Sequence, residues 1–333
     1  MRILVVFTGG TIDSTINNGF ADIGKNPAAQ LLRLCSRNAD FECVSPFSIL
    51  SENANCSTLS DLCSFMLNVD YSLYDGVIVT HGSDTLAYSS AMLGLVLSWV
   101  EIPVVITAAN YPLSMPQSNG NENFNAALDF IADFANGCHK NTGVFTVWKN
   151  DDEPVNVHIA CRLNQADNFL DSFSSYCGVP FGIVSNGHFI RTESVKNPLF
   201  AKPCRVTEFL RGKKLRFNNN VLLLHSYVGL DFNALSLKGK SAVLLKLYHS
   251  ATFCSQGENT SFPDFVSRCC NENVDVYVYP AKKSDYLYGS SKNLDDKKIR
   301  FLYNVNTPAA YAKLLLAYNI EPEKQNVIIN FKI

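Results

Sequence analysis

The stretch LVVFTGGTIDS, residues 4–14, decides how the rest of the chain is interpreted. A β-branched apolar run stops at a pair of glycines, Gly9 and Gly10, with a threonine on each side. Glycine allows a sharp turn and leaves backbone N–H groups open, and Thr11 then presents a hydroxyl beside them. The pattern is typical of a buried strand that ends in a binding turn. A tight turn whose hydroxyls bond only to their own backbone is an equal alternative.

A second apolar run ends in the same way. YDGVIVTHGSDT, residues 74–85, predicts a buried strand followed at once by a polar turn. In that turn Gly82 allows close backbone approach, while Ser83 and Asp84 supply a hydroxyl and a carboxylate. The structural alternative is that Ser83 or Asp84 caps the helix that begins near Leu86.

The two turns become neighbours if their strands pair. Ligands of open parallel sheets bind beyond the carboxyl ends of the strands, so Thr11, Ser83 and Asp84 would then converge on one crevice. Two hydroxyls and a carboxylate are the groups that acyl transfer by a hydroxyl nucleophile requires. His81 is a weak candidate for the base, since a lone histidine at a strand end is more often structural.

The pattern of the whole chain favours an α/β fold with a mainly parallel sheet flanked by helices, because apolar runs alternate with helical periodicity. We predict a large N-terminal domain at residues 1–191, a polar and basic interdomain linker at 192–219, and a smaller C-terminal α/β domain at 220–333. The predicted helices of the first domain are NPAAQLLRLC (26–35), TLSDLCSFMLNV (58–69), TLAYSSAMLGLVLSW (85–99) and NFNAALDFIADFA (123–135), with a hairpin around NDDEP (150–154).

Composition excludes several classes of protein. A formal net charge of −2 gives no electrostatic reason to bind nucleic acid or an anionic membrane, and no apolar run is long enough for a transmembrane helix. The N-terminal residues are typical of a first strand and not of a signal peptide. The 11 cysteines form no CxxC pair, which favours reduced thiols in a cytoplasmic protein over disulfides or zinc ligands.

Two motifs carry a resemblance to a known family. TGGTI at 8–12, with HGSDT at 81–85 for the usual H-G-T-D-T, resembles the L-asparaginase family of bacterial type. YHSATFCSQ (248–256) and TPAAYAKLLLAYN (307–319) resemble its cytoplasmic members. The resemblance implies a large and a small α/β domain, a homodimer or homotetramer, and no metal or organic cofactor. It also implies hydrolysis of L-asparagine to L-aspartate and ammonia.

Three residues match the catalytic positions of that family. Thr11 matches the threonine that attacks the side-chain amide of the substrate. Ser83 matches a second catalytic hydroxyl, where most relatives have threonine. Asp84 matches the aspartate that holds the substrate amino group and supports that hydroxyl.

The resemblance also assigns substrate-binding residues. Ser51 and Glu52 match a Ser-Gln pair that binds the α-carboxylate and α-amino groups. Backbone N–H groups of Gly82 and Ser83 would assist the carboxylate, and Asp84 completes the set. A plain solvated residue is the alternative for Glu52.

Two departures from the family pattern bear on catalysis. Phe20 stands where relatives carry a tyrosine thought to activate the threonine, and Tyr286 or Tyr288 is a weak candidate to replace it from a neighbouring subunit. The family lysine after the hairpin is missing from VNVHIACRLNQAD, residues 155–167, which offers Arg162. Arginine is always protonated, so Arg162 could hold Asp84 ionised but could not act as a base, and a surface arginine is nearly as good an interpretation.

Three functional hypotheses follow. The first is a cytoplasmic asparaginase that acts through Thr11. The second is a related amidohydrolase for glutamine, D-asparagine or a small amide. The third, motivated by Phe20 and Arg162, is a catalytically weakened relative that binds asparagine or aspartate.

Overall fold

The computed structural model describes residues 1–17, 20–23, 27–151, 153–176, 178–198, 201–281 and 298–331, and at 15–17, 20–23 and 27–30 it describes the backbone alone. The chain divides into two compact units, Met1–Arg216 and Phe217–Ile333. This division falls inside residues 192–219, the segment interpreted as a linker. Each unit contains a mainly or wholly parallel sheet with helices, so the predicted α/β fold class is confirmed.

The first unit contains ten strands and four α-helices within the described residues. The strands are β1 (Arg2–Phe7), β2 (Ser14–Asn17), β3 (Phe20–Ile23), β4 (Asp40–Val44), β5 (Gly76–Thr80), β6 (Pro103–Thr107), β7 (Gly143–Lys149), β8 (Val155–Ile159), β9 (Gly182–Ser185) and β10 (His188–Arg191). The helices are α1 (Pro27–Leu34), α2 (Cys56–Leu67), α3 (Leu86–Val96) and α4 (Gly120–Ala135).

Eight of these strands form one sheet in the order β10-β9-β8-β7-β6-β5-β1-β4. The strands from β4 to β7 are parallel, and β8, β9 and β10 continue the sheet antiparallel. The inner strands β1, β5 and β6 are buried on both faces, as parallel strands covered by helices must be. Their carboxyl ends therefore lie at one edge of the sheet, where the glycine turns leave it.

The core beneath one face of the sheet is built mainly from β-branched strand residues and aromatic helix residues. Phe124 and Phe130 of α4 pack with Ile3, Val105 and Phe145 of the sheet, and all five side chains are fully buried. Burial of such side chains stabilises a fold by about 1.5–3 kcal/mol each. This packing fixes the strands whose ends carry the candidate site.

The second unit has its own parallel sheet, in the order β11-β12-β13-β14. Its elements are β11 (Val221–His225), β12 (Ala242–Lys246), α5 (Phe262–Asn271), β13 (Asp275–Tyr279), β14 (Ile299–Phe301), α6 (Thr307–Ala317) and α7 (Pro322–Asn330). Among the described residues of both units, no helix is long and apolar enough to cross a membrane.

Candidate active site

The two glycine turns touch. β1 and β5 are adjacent and parallel, with Phe7 opposite Thr80, so both turns leave the sheet side by side. A Cβ added to Gly10 would lie only 2.4 Å from the Cα of Gly82. Thr11 and Ser83 therefore each follow one member of a pair of glycines in backbone contact, so the two turns are neighbours.

The first turn uses backbone conformations that favour glycine. Gly9 and Gly10 have φ of 99° and 82°, in the range that side chains rarely adopt. A Cβ on Gly9 would lie 2.3 Å from the carbonyl oxygen of Ile49, and the Gly10 N–H donates to that same oxygen at 3.0 Å. The turn is thereby joined to a third segment, which follows β4.

This third segment brings Ser51 into the site. Ser51 is 4% exposed, and its Oγ donates to Oδ2 of Asp84 at 3.4 Å. A Cβ on Gly82 would lie 2.3 Å from the same Oγ. The predicted binding residues Ser51, Gly82 and Asp84 are thus neighbours, while Glu52 follows them as an exposed residue.

Neither Ser83 nor Asp84 caps the helix that follows them. α3 begins at Leu86 with Thr85 at its N-cap position, and no side-chain hydrogen bond caps it. The Thr85 hydroxyl instead donates to the Ser51 carbonyl oxygen at 3.1 Å. Capping therefore does not account for the hydroxyl of half-buried Ser83 or the carboxylate of exposed Asp84.

His81 is buried and directed at the backbone. It is 6% exposed, and its Nδ1 lies 2.8 Å from the Gly82 carbonyl oxygen. Burial lowers the pKa of His81 below its usual value, which favours the neutral ring. This geometry suits a histidine that supports the second turn.

Sequence reasoning missed Asp13. This carboxyl is 2% exposed and lies directly behind the first turn, where Oδ2 accepts from the Gly9 N–H at 3.0 Å and from the Thr80 hydroxyl at 3.0 Å. Burial, only partly offset by these two hydrogen bonds, raises the pKa of Asp13 to about 7. The signal that could have indicated it is an aspartate that directly follows the TGGTI turn.

No described cluster offers a metal site. Among the residues that the structure describes, no group of three or more histidine, cysteine, aspartate or glutamate side chains could hold a metal ion. The structure records no disulfide among the described cysteines, which are Cys35, Cys43, Cys56, Cys63, Cys138, Cys161, Cys204, Cys254, Cys269 and Cys270.

Comparison with known families decides the relationship. The family model described as "Asparaginase, N-terminal" matches residues 2–196, which is more than half of the chain and includes both glycine turns. The chain belongs to the asparaginase family.

Two curated relatives of this asparaginase-family protein carry different descriptions. An L-asparaginase from Thermococcus kodakarensis is 33% identical over 134 residues, or 39% of this chain and 40% of the relative. One subunit of the Glutamyl-tRNA(Gln) amidotransferase from Methanosarcina barkeri is 26% identical over 255 residues, or 72% of this chain and 57% of the relative. The matches therefore span about half of the lengths of these curated relatives.

Solved asparaginase structures share the fold. The thermostable L-asparaginase from Thermococcus kodakarensis superposes with a TM-score of 0.75 at 19% identity, covering 98% of this chain and 97% of that one. A probable cytoplasmic L-asparaginase from Campylobacter jejuni gives a TM-score of 0.68 at 21% identity, covering 99% of each chain.

The segment that lacks the family lysine reaches the second turn through a different residue than expected. Gln165 Nε2 donates to the Asp84 carbonyl oxygen at 2.6 Å, a contact that sequence reasoning missed. The Arg162 guanidinium donates to the Lys196 carbonyl oxygen at 2.8 Å. A pairing of Arg162 with the Asp84 carboxylate stays a prediction.

The tyrosine question lies outside the described residues. The backbone of Phe20 belongs to β3, but its side chain is not among those described, and Tyr286 and Tyr288 fall in the undescribed range 282–297.

Proposed function

We propose that this protein is an amidohydrolase that converts L-asparagine and water to L-aspartate and ammonia, with Thr11 as the nucleophile. The observation that carries the proposal is the contact between Gly10 and Gly82, which brings two hydroxyl-bearing turns to one edge of the sheet. The proposal also rests on membership of the asparaginase family.

The substrate is a zwitterion, and the site has groups of both required kinds. We propose that backbone N–H groups of the turn at Gly82 and Ser83, together with the Ser51 hydroxyl, take the α-carboxylate. Asp84 takes the ammonium group, and exposed Glu52 adds negative charge near it. These contacts would present the side-chain amide to Thr11.

The proposed reaction has two halves. The Thr11 oxygen attacks the amide carbon, the carbon–nitrogen bond breaks, and the hydroxyl proton leaves with the nitrogen as ammonia. Water then attacks the resulting ester, which releases aspartate and returns a proton to Thr11. A backbone donor placed near the developing oxyanion would contribute about 3 kcal/mol, and the hydroxyl of Ser83 with Asp84 supports proton movement. Water is the one co-reactant consumed.

A pair of isosteric variants tests the nucleophile. Thr11→Val should lower ammonia release from L-asparagine by about 10³-fold or more, because the attacking oxygen is removed. Thr142→Val is the matched control, since Thr142 precedes β7 at the opposite edge of the sheet and its buried hydroxyl has no described partner. Equal turnover in wild type and Thr11→Val would contradict the nucleophile assignment.

A second candidate function is hydrolysis of a related amide such as glutamine or D-asparagine. The amidotransferase relative from Methanosarcina barkeri, which matches 72% of this chain, favours keeping this candidate. Ammonia release from the three amides, measured side by side, decides between them. One added methylene changes selectivity by only about 10–200-fold. A preference should therefore appear as a ratio of the rates of ammonia release, and not as complete inactivity towards one amide.

A third candidate is a weakened relative that binds asparagine or aspartate. It is favoured by Gln165, since an amide and not a lysine contacts the second turn. Saturable binding of L-aspartate in calorimetry, without ammonia release from any amide, would support this candidate against the first two.

Assembly and location remain part of the proposal. We propose a homodimer or homotetramer in the cytoplasm, as the family resemblance implies, with a small-molecule substrate and without nucleic-acid or membrane partners. The Campylobacter jejuni structure, described as a probable cytoplasmic L-asparaginase, supports the location. Light scattering of the purified protein would measure the oligomeric state, and a monomeric mass would contradict the assembly.

A further inference from the structure

Asp13 connects the two strands that carry the glycine turns. It is the last residue of the short 3-10 helix Thr11–Asp13, and its backbone N–H donates to the Gly10 carbonyl oxygen at 3.1 Å. Its side chain turns back towards the sheet, where Oδ2 accepts from the Gly9 N–H and from the Thr80 hydroxyl, each at 3.0 Å. One carboxylate oxygen therefore bonds to the turn after β1 and to the last residue of β5.

The position of this carboxylate suits a support for the nucleophile. Gly9 has a φ of 99° and begins the turn on which Thr11 lies, so its N–H orientation fixes the course of the backbone towards Thr11. A second bond ties the same strand ends together, from the Thr8 hydroxyl to the Thr80 carbonyl oxygen at 2.7 Å. An error of about 1 Å in placing a reacting atom can lower a rate about a hundredfold, so such ties matter for catalysis.

We propose that Asp13 is a positioning residue, which holds the turn that carries Thr11 against the end of β5 through Gly9 and Thr80. This inference rests on the proposed function for its catalytic consequence. Its structural part, the support of the turn, stands on the hydrogen bonds alone. Asp13 acts through the backbone and not by contact with substrate.

The second carboxylate oxygen of Asp13 explains why the pKa of this residue is raised. Oδ1 is buried and has no hydrogen-bond partner within the described residues, so the charged form is poorly solvated. This burial accounts for the rise of the pKa of Asp13 to about 7. Hydrogen bonds to a carboxylate are stronger than those to a neutral acid, so the turn is held most firmly above neutral pH.

Other titratable residues lie on the elements around this turn. β3 and α1 pack against the 3-10 helix and contain Asp22 and Arg33, and His81 follows β5. Arg33 is exposed and His81 bonds to the Gly82 carbonyl oxygen, while the causes of the Asp13 shift are burial and its bonds to Gly9 and Thr80. A change near neutral pH can therefore be assigned to Asp13 by substitution.

Four variants test the proposal by kinetics. Asp13→Ala should lower kcat by about tenfold to a hundredfold with little change in KM, because substrate contacts are retained while the nucleophile is misplaced. Asp13→Asn keeps an oxygen acceptor without the charge and should recover only part of kcat, to about the level of wild type well below pH 7. Thr80→Val, which removes one donor, should lie between Asp13→Ala and wild type. Asp133→Asn is the matched control, because Asp133 is also buried and accepts a backbone N–H, from Phe189, away from the site.

The pH profile separates positioning from a general loss of stability. In wild type and in Asp133→Asn, kcat should rise with pH through about 7, and in Asp13→Asn this rise should be absent. An unchanged profile in Asp13→Asn, or a kcat of Asp13→Ala within about twofold of wild type, would overturn the proposal.

Amide hydrogen exchange tests the same proposal without any activity. The peptide that covers residues 4–16 should exchange faster in Asp13→Ala than in wild type, with Asp13→Asn close to wild type. Faster exchange with no ammonia release from wild type would refute the proposed function and leave the support of the turn in place. Identical exchange in wild type and Asp13→Ala would refute the role of Asp13 even in an active enzyme.

Discussion

At the scale of single residues, the side chain of Gln165 contacts the second turn. Its Nε2 donates to the Asp84 carbonyl oxygen, just before α3. A lysine at this position could exchange protons with groups of the second turn, and an amide cannot. A carboxamide neither accepts nor releases a proton near neutral pH, whereas a lysine amine can do both. The contact orients the second turn without helping to move protons through it.

The variant Gln165→Lys should therefore increase kcat for amide hydrolysis. General acid–base groups contribute about 10²–10⁴-fold, and an introduced lysine without an optimised environment should give at least about tenfold. Gln165→Met is the control, since it keeps the side-chain length but has no donor and should not increase kcat. Initial rates between about pH 7 and 9 would measure the effect. The same rate in both variants would show that position 165 does not participate in proton transfer.

The residues that the sequence predicted and those that it missed differ in a physical way. Thr11, Ser83 and Asp84 were predictable because they directly follow apolar strands, and parallel strands bring their ends together. Asp13 was not, because its role depends on burial against Thr80, which is 67 positions away along the chain. Gln165 was missed for a similar reason, since its contact with Asp84 spans 81 positions.

At the scale of elements, the site depends on the contact between two turns. Gly10 has φ 82° and ψ −176°, a combination that is essentially restricted to glycine, and its missing Cβ leaves room for the backbone of Gly82. Because the backbones of Gly10 and Gly82 touch, β1 and β5 end side by side and the turns that carry Thr11 and Ser83 are neighbours.

The variant Gly10→Ala should separate the two turns. Gly212→Ala is the matched control, because Gly212 also has a positive φ, 74°, but an added Cβ there meets nothing within 4 Å. The control should lose about 1–2 kcal/mol of unfolding free energy from backbone strain. Gly10→Ala should lose about 1–3 kcal/mol more from the clash, together with its activity. Denaturant unfolding followed by tryptophan fluorescence would measure both, and equal losses would contradict a tight contact.

The elements that the sequence predicted best are the buried ones. β1, β5 and β6 are continuous apolar runs, and the helix pattern around α4 is strongly periodic. β4 was missed because DFECV is largely exposed at the edge of the sheet. The predicted start of α2 at Thr58 was late: the helix begins at Cys56 with Asn55 as its cap, and Thr58 completes the capping box three residues later.

At the scale of the whole molecule, two buried groups of the first unit make stability depend on pH in opposite directions. Burial raises the pKa of Asp13 from 3.8 to about 7, so the folded state binds its proton more tightly and stability falls as pH rises between those values. Burial lowers the pKa of His158 from 6.5 to about 4, so the unfolded state binds the proton and stability falls as pH drops through that range. Between about pH 4 and 6.5 the two slopes oppose one another.

Single variants should separate the pH dependence of stability caused by Asp13 from that caused by His158. Unfolding free energy should fall as pH rises from about 4 to 7 in His158→Asn and should rise from about 4 to 6.5 in Asp13→Asn, by up to about 1.4 kcal/mol per pH unit. His158→Asn retains an acceptor or donor for the Ser175 hydroxyl, which lies 2.7 Å from Nδ1. Both tryptophans, Trp99 and Trp148, are buried in the first unit, so urea unfolding by fluorescence reports that unit alone. Parallel pH profiles in the two variants would contradict the opposing signs.

The order of the strands has a consequence for biosynthesis. The three segments that meet at the Gly10–Gly82 contact follow β1, β4 and β5, three neighbouring strands, and all lie before Thr85. Domains generally fold as units, and an N-terminal domain folds first while the ribosome is still extending the chain. We therefore expect the candidate site to form when the unit Met1–Arg216 folds, while the second unit is still being translated. The three backbone segments lie within residues 1–84, and Gln165, which contacts Asp84, lies further along the same unit.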